Sequence, residues 1–236
     1  MYRASLKPWL LAQYFKEFPN ESNSVYILLD PDVIFAKDVN WEKFAGDDIW
    51  YESDSRSYMN STYIKSKGEG LFTEMCEVFG ISPELVLKND KNAGGAQYVT
   101  KNNTHEFWEE VWRKSIPLYD HMVKTADKYK PEGDPYPIQA WTSEMWCTNW
   151  TLWKHGGISK VTHELHFHFG THRTNEFAHA ILHITGHTVD DGKHFCKSAY
   201  VPTPFKKKIK CSKRSLSYYY VIEIREVENK YPELIW

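Results

Sequence analysis

Two carboxylates stand one residue apart in Asp30-Pro31-Asp32, directly after the apolar run Val25-Tyr26-Ile27-Leu28-Leu29. A carboxylate is costly to bury alone, so a pair of them at the end of a hydrophobic segment needs a partner. In an extended chain residues i and i+2 lie on the same side, which turns both acids one way. Pro31 fixes its own φ between them and removes a backbone donor. Two same-side carboxylates suit Mg2+ or Mn2+, with waters and substrate phosphates completing the shell. A metal held in this way bridges a diphosphate, neutralises its charge and stabilises it as a leaving group. The same three residues also fit a plain turn that ends a strand and holds no ligand.

Other residues offer further chemistry. In Asn92-Ala93-Gly94-Gly95-Ala96-Gln97 the two glycines let backbone approach a ligand closely, and the Asn and Gln amides offer donors and acceptors to hydroxyls. A tight turn between elements reads equally well. Glu144 lies among Trp141, Met145, Trp146 and Trp150, where apolar surroundings would raise its pKa and make it a base near neutral pH. The other reading is an acid favoured by a helix N-terminus. His183 sits in an apolar run, either as a core residue or as a metal ligand. The stretch from His163 to His172 is His-dense. His166 and His168 alternate as in H-x-H metal sites, and with Glu164 or Glu176 they would form a cupin-like, non-haem centre. The stretch is not H-E-x-x-H, which excludes a zincin.

The acids must be positioned by the segment before them. A continuous apolar run flanked by polar residues suits a strand fully buried in a parallel or mixed sheet. In open α/β sheets, ligands bind beyond the C-terminal ends of strands. Helices are expected over 5–18 with Ser5 as cap, over 61–67, over 70–79 with Gly80 as stop, from Ser82 onward, over 105–128 with a break or bend near Pro117, and over 138–155. Short strands are expected at 49–51 and 96–99. This alternation gives an α/β class with a mixed central sheet flanked by helices. It is read as one domain over 1–236, with a core to about residue 190 and a C-terminal extension over 191–236. The Lys206–Lys210 run reads as a solvated face.

With 236 residues and 42 % hydrophobic content the chain can bury a sizeable core. A formal net charge of -2 gives no basic field for nucleic acid. The aromatic load is high, at 10 Trp, 15 Tyr and 12 Phe, and serves either a core or the stacking of sugar rings. Four cysteines without a C-x-x-C pair argue against a zinc ribbon or a disulfide scaffold. No run of ~18 apolar residues suggests a membrane span, and the first residues lack the apolar stretch of a signal peptide. The chain is therefore expected to be cytoplasmic, with reduced thiols.

Taken together, these segments resemble GT-A glycosyltransferases. The likeness is greatest to the group around plant hydroxyproline arabinosyltransferases and peptidyl-serine galactosyltransferases, with their bacterial and viral relatives. Val25–Phe35 resembles the D-x-D region of that group and Asn92–Gln97 the N-A-G segment that touches the donor sugar. Ile138–Trp146 resembles its W-x-x-E/D-M helix start, and Ile181–Gly186 its late I-x-H-N-x-G segment. The resemblance spans about residues 3–190. It implies transfer of a sugar from a nucleotide-sugar donor to a glycan or protein hydroxyl. Asp30, Asp32 and His183 would hold Mn2+ or Mg2+, while Asn92, Gly94, Gly95 and Gln97 meet the donor sugar. Asp54 and Arg56 would meet the donor's ribose or phosphate, and Glu144 would act as the catalytic or acceptor-side acid. Trp141, Trp146 and Tyr51 would shape the sugar pocket. Two departures stand out. Ile184 replaces the Asn that follows the late His, and only 29 residues precede Asp30, where the family carries a β-α-β nucleotide-binding unit. That unit is expected to be shortened, supplied by a partner chain, or missing from a fragment. The alternatives to a transferase are a degenerate, non-catalytic relative or carbohydrate-binding protein, and the His-cluster metalloenzyme.

Overall fold

The computed structural model describes residues 2–131, 133–134, 136–185 and 190–234. The helices are α1 (Leu6–Glu17), α2 (Arg56–Met59), α3 (Ser61–Lys67), α4 (Leu71–Phe79), α5 (Pro83–Asn89), α6 (His105–Lys124), α7 (Ser143–Lys154) and α8 (Ser217–Lys230). The strands are β1 (Tyr26–Leu28), β2 (Val33–Phe35), β3 (Trp50–Glu52), β4 (Tyr98–Thr100), β5 (Ser159–Val161), β6 (Phe167–Phe169) and β7 (Ile181–His183). The fold is mixed α/β with mixed sheets. Two sheets stand where a single one was expected, in the orders β1-β4-β3-β5 and β2-β7-β6.

The chain divides into two compact units, one of residues 1–28 and 41–162, the other of 29–40 and 163–236. The break thus falls at 162/163 rather than near 190. The reason is packing: Ile184 shares one hydrophobic core with Phe195, Tyr200, Val221 and Ile224, so the C-terminal segment belongs to the body that contains β7. Ile209 packs on this core, while the lysines around it at 206–208 and 210 stay exposed.

In the first unit, local chemistry sets the helix ends. The Asn60 side chain accepts from Tyr63 N–H, Ser82 from Leu85 N–H and Thr104 from Phe107 N–H, each satisfying an orphan donor of a first turn. Gly80 closes α4 in the left-handed region at φ 83°. Ser5 does not cap α1; its hydroxyl donates to the Tyr2 carbonyl instead. Pro117 is held inside an α6 that runs unbroken from His105 to Lys124. Much of the aromatic load forms the core. Trp146 and Trp150 are fully buried, and the indole N–H groups of Trp50, Trp108, Trp146 and Trp153 each find an acceptor. Cys76, Cys147, Cys196 and Cys211 are free thiols, and no described helix is long and apolar enough to cross a membrane.

The strand ahead of the acids is not the buried one expected. β1 pairs with β4 alone, at the sheet edge, and Ile27 is 38 % exposed. The buried centre of this sheet carries an unexpected carboxylate, Glu52, which is fully enclosed on β3. Its Oε2 accepts the Gly94 N–H at 3.0 Å. Burial raises its pKa to about 8, with hydrogen bonds to Ser159, Gly94 and Asn149 pulling partly the other way. The folded chain therefore keeps a proton that the unfolded chain releases near pH 4.5. Stability should fall as pH rises from about 5 to about 8, by up to ~1.4 kcal/mol per pH unit. Urea midpoints across that window should show the decline in the wild type and a flatter profile in Glu52→Gln.

Candidate metal centre

The second unit is closed by a long-range strand pair. β2 runs antiparallel to β7 with Val33 opposite His183, and β6 flanks β7 in parallel on its other side. All of β7 is buried, because it is the central strand of three. Just before β2 the chain turns at Asp30–Val33, where Val33 N–H reaches the Asp30 carbonyl at 3.3 Å. The ladder then continues one step beyond the strand, with Ile184 N–H donating to the Asp32 carbonyl at 3.0 Å.

This register gathers the expected ligands. The Nε2 of His183 lies 3.1 Å from Asp32 Oδ1 and 3.5 Å from Asp30 Oδ2. One ligand atom from each of Asp30, Asp32 and His183 falls within 4.8 Å of the other two. His183 is buried, its ring packed edge-on against Phe167 at 5.3 Å, whereas the two carboxylates are half-buried and open on one side. A fourth residue joins them: Lys197, from a short 3-10 turn (Lys197–Tyr200), donates to Asp32 Oδ2. Burial alone would raise the pKa of Asp32, but the hydrogen bonds and charges of His183 and Lys197 prevail and hold it near 2. Tyr220, on α8, has its phenol pKa raised by burial and by the Asp32 charge.

Two carboxylates and an imidazole form an oxygen-rich donor set. That fits Mn2+, which accepts a nitrogen beside oxygens, and it fits Mg2+ through the carboxylates. With the His183 ring between the acids, Nε2 carries the proton that Asp32 accepts, an assignment made from the hydrogen bond. Metal ligation would move that proton to Nδ1. Ile184, which stands where the resembled segment carries Asn, is explained by its place in the hydrophobic core, where an amide would lack partners. Gly186, the last residue of that motif, lies outside the described residues.

The remaining expected site residues belong to the first unit. Asp54 and Arg56 pair with each other, the Arg56 Nε, Nη2 and backbone N–H all donating to the Asp54 carboxylate. The glycines of the Asn92–Gln97 loop do give close approach, but to protein. A Cβ on Gly94 would lie 2.5 Å from the Cβ of Glu52, and one on Gly95 would lie 2.4 Å from Met145 Cε. Gly94 N–H goes to Glu52, Gly95 N–H goes to the Ser53 carbonyl, and Gln97 is fully buried. Asn92 is half-buried. Glu144 is buried, but polar groups surround it rather than indoles alone. Oε2 accepts from the Met145 N–H and the Tyr2 hydroxyl, and Lys7 Nζ stands 3.6 Å from Oε1. Trp146 is enclosed and Tyr51 binds Asp47, whereas Trp141 is 58 % exposed beside Tyr58.

Sequence reading missed Lys197 and Tyr220. Neither has a local pattern that signals a partner as far away as Asp32, which is 165 residues from Lys197. Comparison of the chain with protein families, characterised proteins and solved structures finds no match.

Lys197 competes with any cation for Asp32. Lys197→Met should tighten Mn2+ binding ~2–5-fold, in keeping with the ~0.5–1 kcal/mol of a partly exposed ion pair. Calorimetric titration of both proteins with Mn2+ measures this, and unchanged or weaker binding would separate the carboxylates from the metal.

Proposed function

We propose that this chain is a metal-dependent glycosyltransferase of GT-A-like type. In this reading it transfers a sugar from a nucleotide-sugar donor to a hydroxyl of a glycan or protein. The observation that carries the reading is the convergence of Asp30, Asp32 and His183, three residues drawn from two distant segments, into one ligand set. Asp30 and Asp32 would hold Mn2+ or Mg2+ as anionic oxygen ligands, with His183 as the third. The ion would supply Lewis-acid stabilisation of the leaving diphosphate. Lys197, poised on Asp32, would exchange that carboxylate for a phosphate oxygen when donor binds, adding a second positive charge where the leaving group gains its negative one. Exposed Trp141 offers a face for stacking a sugar ring. The resemblance would assign Asn92 to the donor sugar and Glu144 to accepting or orienting the acceptor proton.

A second reading is a relative that binds donor or glycan without turning it over. The hydrogen bonds that tie up Glu144, Gly94 and Gly95 within the first unit favour it.

A calorimetric panel of UDP, GDP and their common sugars, with Mn2+ or with EDTA, tests the shared premise. One nucleotide should bind only with metal, and Asp30→Ala/Asp32→Ala should abolish that binding. Turnover of the donor should then fall ~10²–10⁴-fold in Glu144→Gln, as expected on losing a general base. Metal-dependent binding with no turnover would select the second reading. Absence of any nucleotide binding by the folded chain would end both.

A further inference from the structure

Residues 163–179 contain five histidines, and the acidic site uses none of them. They fall into two groups with different tasks. His168, buried on β6, accepts the backbone N–H groups of Ala178 at 2.9 Å and His179 at 3.2 Å through Nε2. Its ring proton is therefore on Nδ1, 3.1 Å from the Nδ1 of His172, which accepts it. Both nitrogens of His168 are engaged, so it is not the H-x-H ligand that its alternation with His166 suggests. It pins the 178–179 backbone instead.

The other three rings face one another. Centroids of His163 and His166 lie 5.3 Å apart, those of His163 and His179 4.9 Å, and those of His166 and His179 5.4 Å. The pairs are tilted or edge-on, at 46°, 63° and 76°, rather than stacked. One nitrogen from each falls within 4.8 Å of the other two. The Nδ1 of His179 is buried and makes no hydrogen bond among the described residues. A buried imidazole nitrogen without a partner is unusual, and here it belongs to one of the three grouped rings. No carboxylate belongs to the set, and His163 is exposed, which leaves one side open to solvent.

We propose that His163, His166 and His179 form a tri-histidine site for a borderline divalent transition-metal ion, with Zn2+ as the natural probe. Three neutral imidazoles suit Zn2+ rather than Mg2+ or Mn2+. Three protein ligands with an open fourth position are the arrangement in which zinc keeps an activated water. His168 is a positioning residue here, holding the backbone of His179 so that its ring meets the other two. The site stands whether or not the acidic centre binds a nucleotide sugar.

The test uses the full chain in an Asp30→Ala/Asp32→Ala background, which removes the competing carboxylates. After chelator stripping, Zn2+ is titrated against a chromophoric chelator. Co2+ is added separately, and its visible absorption reports the ligand field. The background protein should bind about one Zn2+ and give a Co2+ spectrum of low coordination number. Adding His163→Gln or His179→Gln should weaken Zn2+ at least ~100-fold, the upper end of the effect of losing a supporting partner, and should abolish that spectrum. Because His163 is exposed, its variant should keep the circular dichroism of the parent. Zn2+ binding that is absent in the background protein, or unchanged in both His variants, would overturn the proposal.

Discussion

Everything in the second unit rests on the pairing of β2 with β7. A segment that leaves the chain at residue 29 and ends at 40 is sewn into a body otherwise built from residue 163 onward. Among the described residues its regular tie is three residues long, Val33–Phe35 against Ile181–His183. The entropy of closing so long a loop grows only with the logarithm of its length. The register, in contrast, is unforgiving. A one-residue slip turns every side chain of a strand to the other face. In such a slip His183 would no longer lie beside Asp32, and the ladder bond from Ile184 to the Asp32 carbonyl would be lost. The apolar residues that flank the site, Ile181, Leu182 and Ile184, are all buried and fix the register on both faces. The candidate ligand set is thus a consequence of core packing: the same residues that seal the sheet deliver the imidazole to the carboxylates.

Two carboxylates in this molecule show the two ways out of the same desolvation problem. Asp32 lies in a half-buried turn and is met by His183 and Lys197, so it stays ionised and its pKa falls to about 2. Glu52 is itself fully buried and is met by dipoles, the Gly94 N–H and the Ser159 and Asn149 side chains, so its pKa rises to about 8. Charges nearby decide the first case and burial decides the second. Function divides accordingly. The half-buried Asp32 keeps a charge that a cation could share, whereas the sealed Glu52 serves the sheet and the loop packed on it.

Most helices of the first unit were legible because their ends carry local signals, whereas α2 and α8 were not anticipated. Asn60, Ser82 with Pro83, Thr104 and Gly80 act within three or four residues of where they stand, and sequence preserves such short-range relations. The acids and His183 were legible as ligand types. The environment of the acids was misread, because five apolar residues in a row look the same on a central strand and on an edge strand such as β1. Gly94 and Gly95 show a related limit. A glycine reports that something comes close to the backbone, and here that is Glu52 and Met145 rather than a sugar. Lys197 and Tyr220 were out of reach entirely. They lie in a segment read as an extension, and only the core built around Ile184 shows that it belongs with the site.

The ligand sets of this unit also bear on how its metal chemistry would be sorted. Affinity for a common donor set rises from Mn2+ to Cu2+, with Zn2+ well above Mn2+, so raw affinity would let Zn2+ invade any Mn2+ site. Ligand type is the remaining lever. Asp30, Asp32 and His183 offer mainly hard oxygen, whereas His163, His166 and His179 offer only nitrogen. If both sets bind, the nitrogen set would fill first with the borderline ion and leave the oxygen set to the harder, more abundant one. Both depend on the β6–β7 segment: His179 and His183 are four residues apart, and His168 on β6 grips the backbone of the first while Phe167 packs on the ring of the second. A change in the packing of β6 would therefore be felt at both sets of ligands, through backbone at one and through a ring contact at the other.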